Sequence, residues 1–289
     1  MLPIPPRAEA VNHVGQALMT VGTFAGLAVF LVCAYRLGRR WSTPIPAAIV
    51  AGTLVAGMVE PLNNRLANMW YFRPGQQTMY RSFDASLPVW VFFSYAACFG
   101  GLGLLVWYLV ERGAGRATIA KLIGGMWVFF VLTEICGTQL GTYTYFGPHP
   151  FRIAGFPCWV SLGVACICAS IGIGAALMRR HLDAAPALAA TFLLGPVACV
   201  VGLVGTGFPT MTVINTPDPS KALLYGAALG STALNLILAW FLTQLVPREG
   251  LTPISVTGKA RPGLAGTRGG QLGDQLVASG GHGGAVPGQ

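Results

Sequence analysis

Seven stretches of this chain run for about twenty residues with almost no charge, the length that crosses the hydrocarbon core of a bilayer. They fall at 15–36, 45–62, 88–110, 118–140, 158–178, 186–208 and 222–246. Backbone groups inside a bilayer must satisfy one another, so such runs read as helices. The predicted fold is all-α: a polytopic membrane protein with a seven-transmembrane-helix bundle over 15–246, a short segment at 1–14 and a tail at 247–289. The first run lacks a basic n-region and an A-x-A exit, so it reads as a retained helix and not as a cleaved signal peptide.

Charge supports this class. Only 9% of residues are charged and 54% are hydrophobic, whereas disordered chains and coiled coils need many more charges. A net charge of +9 could suggest nucleic acid, but the basic residues lie between apolar runs and form no stripe with interleaved aromatics. Arg36, Arg39, Arg40, Arg112, Arg116, Lys121, Arg179, Arg180, Arg248, Lys259, Arg261 and Arg268 fall on one side of the predicted membrane. Arg7, Arg65, Arg73, Arg81, Arg152 and Lys221 fall on the other. The richer side is expected to be cytoplasmic, which puts the N-terminus outside and the C-terminus inside. The tail is Gly-rich and without period, and is expected to be disordered.

The seven cysteines show no C-x-x-C and no Cys/His cluster, so they read as small apolar residues, with a Cys136–Cys158 disulfide as an alternative. The four histidines are scattered, and no hydrolase, phosphate-loop or dinucleotide motif is present. No metal or other cofactor is expected.

The nine acids can be placed singly. Glu111, Asp183, Glu249 and Asp274 read as cytoplasmic-side charges and Glu9 as solvated. Glu60, Asp84, Glu134 and Asp218 all fall toward the outer side. Glu134 lies inside the fourth run, and an acid there is a functional-site hypothesis by default. An apolar setting disfavours the charged carboxylate, and a neutral carboxylic acid can hand a proton to an alkene or epoxide. Glu60 sits in M-V-E-P-L-N-N, where an acid, a proline and the amides of Asn63 and Asn64 share one helix mouth. The bland readings are helix-tying bonds for the glutamates, a turn or cap for Asp218, and an Arg81 pair for Asp84.

The second and fourth connections, both outer, are long and aromatic. The second is expected to fold back as a short helix or lid. Within the fourth and its flanks, TEICGTQLGTYTYFGPHPFRIAGFPCWVSLGV resembles the E-x-x-G-x-x-x-G-x-Y-x-Y hairpin, followed by G-x-P, of membrane carotenoid hydratases. The seven-run plan also resembles the integral-membrane terpene cyclases of meroterpenoid pathways. In those, a Glu near the end of the second span and an Asp between the sixth and seventh match Glu60 and Asp218. Both resemblances imply carboxylic-acid protonation of a prenyl group, then capture of the carbocation by ring closure or water. They imply an isoprenoid substrate that enters from the bilayer, and the chain is expected in a bacterial cytoplasmic membrane. Cation-stabilising faces would come from Trp70, Tyr71, Trp90, Trp127, Tyr143, Tyr145 and Trp159, although interfacial aromatics are common in membrane proteins. A proton-coupled transporter, a lipid-binding protein and a non-catalytic scaffold are the competing readings.

Overall fold

The computed structural model describes residues 3–250. Among them are seven helices long and apolar enough to cross a membrane: α1 (His13–Trp41), α2 (Ile45–Leu66), α3 (Val89–Glu111), α4 (Arg116–Gln139), α5 (Ser161–His181), α6 (Ala184–Ile214) and α7 (Lys221–Gln244). Each expected run is one of these helices. The expected disordered tail lies outside the described residues from 251 onward. Its first residues turn back on the α3–α4 loop, where the Arg116 N–H donates to the Pro247 carbonyl at 3.3 Å.

Helix ends have local causes. The Asn12 side chain accepts from the Val14 and Gly15 N–H groups and starts α1. At the other end Ser42 takes a left-handed conformation and stops it. Helix α6 outruns its expected end at 208 because it continues past Pro196 and Pro209. A π-helical turn, Val200–Gly205, lies between those prolines and accommodates the lost hydrogen bonds. A second π-helical turn, Tyr95–Gly100, interrupts α3.

Helix α5 is the most buried of the seven. It packs on α3, α4, α6 and α7, while α1 leans on α2 and α3 from outside. Small residues permit the tightest crossings. A Cβ on Gly52 would strike the Phe192 backbone, and one on Gly195 would strike Gly52 and Thr53, so α2 and α6 meet backbone to backbone. Large apolar side chains such as Val21, Leu132, Leu193, Ile237 and Trp240 face outward.

The second and fourth connections depart from the all-α expectation. The second forms no short helix of its own; α2 runs on to Leu66 and strands follow it. β1 (Met69–Tyr71) pairs antiparallel with β4 (Tyr143–Tyr145), which joins the two long connections to each other. β2 (Thr78–Ser82) and β3 (Ala85–Pro88) form a hairpin, and β5 (Arg152–Ile153) pairs with β6 (Phe156–Pro157). M-W-Y and Y-T-Y are strand-favouring, and each supplies the other's hydrogen bonds. Phe83 and Asp84 carry positive φ in the hairpin turn, as a two-residue turn of this hand requires. The start of α1 is bolted beneath this cap: the Asn12 N–H donates to Gly141, and Gln16 exchanges hydrogen bonds with Gly75 and Gln77.

All seven thiols are free, so Cys136 and Cys158 form no disulfide. Glu111, expected as an ordinary cytoplasmic-side charge, is fully buried between Arg180 at 2.9 Å and Arg179 at 3.5 Å. Arg179 also lies over the Trp41 and Trp107 rings. This cluster fills the end of the bundle opposite the cap.

Candidate functional site

Glu60 comes from the last turns of α2 and Glu134 from the last turns of α4. Five residues separate Glu134 from the end of its helix, a depth of about 8 Å at 1.5 Å per residue. The paired strands β1 and β4 lay Tyr71 directly opposite Tyr143. Their side chains reach down to the two acids from above.

Each carboxyl is held by two phenols. Tyr71 donates to Glu60 Oε1 at 2.7 Å and Tyr95 donates to Oε2 at 2.6 Å. The Asn63 amide, one turn farther along α2, is the next donor beside Glu60. Tyr143 and Tyr145 both donate to Glu134 Oε2, at 2.9 Å and 3.1 Å. Glu134 Oε1 accepts no hydrogen bond among the described residues and is not sealed by packing. Burial, then the facing carboxyls, hold the Tyr71, Tyr143 and Tyr145 phenols well above their ordinary range. They therefore stay protonated and keep a proton to donate to the acids.

Both acids line one cavity of about 550 Å³, within the range of small-molecule sites. Its capward end carries Glu60, Asn63, Glu134 and the tyrosines. Away from the cap it becomes apolar, with Phe30, Phe99, Leu102 and Phe130. The lining runs from Leu18 to Phe30 on α1, a length of about 18 Å. Leu18, Phe129 and Leu132 line the cavity and are also exposed on the outside. The cavity therefore reaches the flank of the bundle between α1 and α4. Above that mouth Gly15 packs against the Leu140 backbone and closes the gap.

Aromatic faces surround the acids. Tyr71 stands edge-on to Trp90 at 6.0 Å and to Tyr143 at 5.4 Å. Of the expected residues, Glu60, Glu134, Asn63, Tyr71, Trp90, Tyr143 and Tyr145 come together here.

The others lie elsewhere. Asp84 is on the cap surface, paired with Arg7 at 2.6 Å and Arg73 at 3.0 Å, and not with Arg81. The Arg73 hydrogen bond, and the two guanidinium charges, hold its carboxyl below the usual range. Trp70 is covered by Arg73, 4.2 Å above its ring, outside the cavity. Asp218 is exposed in the loop before α7 with positive φ, which favours the turn reading. Trp127 donates to Ser161 at 2.9 Å and lies off the cavity. Asn64 is buried away from it, with neither end of its amide hydrogen-bonded among the described residues. Trp159 stacks on His149 and borders a second, smaller hole.

Tyr95 was missed by sequence reasoning, although a lone phenol inside an apolar run is a polar group in need of a partner. It opens the π-helical turn of α3, a feature frequent at functional sites. No family model, curated protein or solved structure matches the chain.

Proposed function

We propose that the chain is a seven-span integral membrane protein with its N-terminus outside, and that the cavity is the active site of an isoprenoid cyclase or hydratase. Glu134 protonates a prenyl double bond or epoxide. The resulting tertiary carbocation is shielded by Trp90, Tyr71 and Tyr143 and quenched by ring closure or by water. The excess of Arg and Lys on one set of loops supports the orientation.

The observation that carries this reading is the asymmetric grip on Glu134. Two phenols occupy Oε2, so a proton on the acid sits on Oε1, the oxygen left open to the cavity. Glu60 differs: both its oxygens accept phenol hydrogen bonds. That arrangement suits a carboxylate, and Glu60 takes the role of base. Asp218, being outside the cavity, is not used. The apolar floor and the mouth between α1 and α4 suit a long hydrocarbon entering sideways from lipid. The buried Glu111–Arg179–Arg180 cluster plugs the far end, which favours a one-sided pocket over a transport path.

The test is product analysis. Purified protein in nanodiscs is incubated with a panel of prenyl-lipids, including epoxidised and aryl-prenylated members, and products are identified by mass spectrometry. Wild type is expected to give an isomer or hydrate of at least one member, and Glu134→Gln to lose it while still folding. Equal turnover by Glu134→Gln would overturn the assignment.

A further inference from the structure

Behind the acid cavity lies a chamber of about 10 Å³, the space one water molecule occupies. Asn63, Val160 and Leu203 line both spaces, so the chamber adjoins the cavity. The chamber is also lined by Trp159, Thr206 and Asn235. Three polar atoms of these residues are buried with no hydrogen-bond partner among the described residues: Asn63 Oδ1, Asn235 Oδ1 and Trp159 Nε1. Asn63 is 6% exposed, Asn235 1% and Trp159 3%. A buried polar atom left without a partner costs free energy, and all three belong to residues that line one hole. Two are acceptors and one is a donor. Water, with two O–H donors and two lone pairs, matches that set.

We infer that this chamber binds one water molecule, held by Asn63, Asn235 and Trp159, and that this water captures the carbocation. The inference rests on the proton-transfer reading above and makes the product a tertiary alcohol. The proton leaves Glu134 Oε1, and the alkene π pair becomes the new C–H bond. A water lone pair then forms the C–O bond to the cation. The oxonium gives one proton to the Glu60 carboxylate, beside which Asn63 stands. Alkene plus water has become alcohol. One proton passing from Glu60 to Glu134 restores the starting pair.

Two measurements separate the site from the chemistry. A structure of the full chain at a resolution that shows ordered water should contain one between Asn63, Asn235 and Trp159. A chamber closed by rearranged side chains would overturn the inference, whatever the activity. Turnover of the prenyl-lipid panel in ¹⁸O-water should place ¹⁸O in an alcohol product. An isomerised product without ¹⁸O would overturn water capture while leaving protonation standing. Trp159→Phe removes one donor and keeps the ring, so the alcohol-to-isomer ratio should fall by about five-fold, as expected for one hydrogen bond. Asn235→Leu, which fills the chamber, should lower it further. An unchanged ratio in both folded variants contradicts the inference.

Discussion

Gly137 is where the site can be disturbed without touching an acid. A Cβ placed there would lie 2.5 Å from the Tyr143 hydroxyl and 2.6–2.8 Å from its ring carbons. Carbon contacts settle at about 3.5–4 Å, so in Gly137→Ala the ring must retreat by about 1 Å. Tyr71 at 5.4 Å and Trp90 at 6.4 Å stand behind it. Overpacking of this kind costs about 1–3 kcal/mol. The 2.9 Å Tyr143–Glu134 hydrogen bond would stretch out of range, adding about 1 kcal/mol. Together these lower stability by about 2–4 kcal/mol, a fall in Tm of about 5–10 °C for a body of this size. Gly125, on the same helix, has nothing within 4 Å of an added Cβ. Gly125→Ala should be neutral or raise Tm, since alanine is the better helix former. The assay is thermal unfolding of both variants in the same detergent. A Gly137→Ala protein as stable as wild type would refute the packing argument, because Tyr143 would then not be pinned against Glu134.

Four further outcomes are expected. Glu134→Gln should cut turnover of an accepted prenyl-lipid by about 10²–10⁴-fold, the usual loss of a general acid, measured by product mass spectrometry. Glu111→Gln should destabilise the protein by about 3–5 kcal/mol, because it leaves Arg179 and Arg180 without their buried carboxylate; denaturation in detergent checks it. Gly22→Leu should fold normally, since nothing lies within 4 Å of its Cβ, yet raise KM by narrowing the mouth between α1 and α4. Acid should weaken the cap through two groups. Burial, with Arg152 nearby, pushes His149 down to about 3 from 6.5. Its stabilising contribution is therefore complete above pH 6.5 and lost progressively as pH falls toward 3. Asp84, held below its ordinary 3.8 by Arg73 and Arg7, adds a loss that begins near that pH and continues below it. Tm measured from pH 8 to 4 should be flat above 6.5 and fall below it, with the fall reduced in His149→Phe.

The seven helices were legible because an apolar run long enough to cross a bilayer has few other fates. Glu134 was legible for the same reason: an acid inside such a run must be held by something. The cap was not. Tyr71 meets Tyr143 only because β1 pairs with β4 across some seventy residues of chain, and local pattern carries no trace of that pairing. The same gap explains Asp84. Its neighbours in sequence suggested Arg81, but the hairpin turn aims it at Arg73 and Arg7. Asp218 matched a topological place in a resembled family, yet its loop keeps it on the surface. Asn235 could have been found as Glu134 was, being a buried amide in the middle of α7. Amides in helices so often bond to a neighbouring helix that the residue alone did not separate a site from glue.

The most direct test of proton transfer from Glu134 is turnover in D₂O. Protein exchanged into D₂O within nanodiscs is given an accepted prenyl-lipid, and the product is analysed for deuterium at a former alkene carbon. Delivery of the acid's exchangeable proton predicts one deuterium on carbon per product molecule from wild type, and about 10²–10⁴-fold less of that product from Glu134→Gln. Product without carbon-bound deuterium, or an undiminished yield of the labelled product from Glu134→Gln, would contradict it.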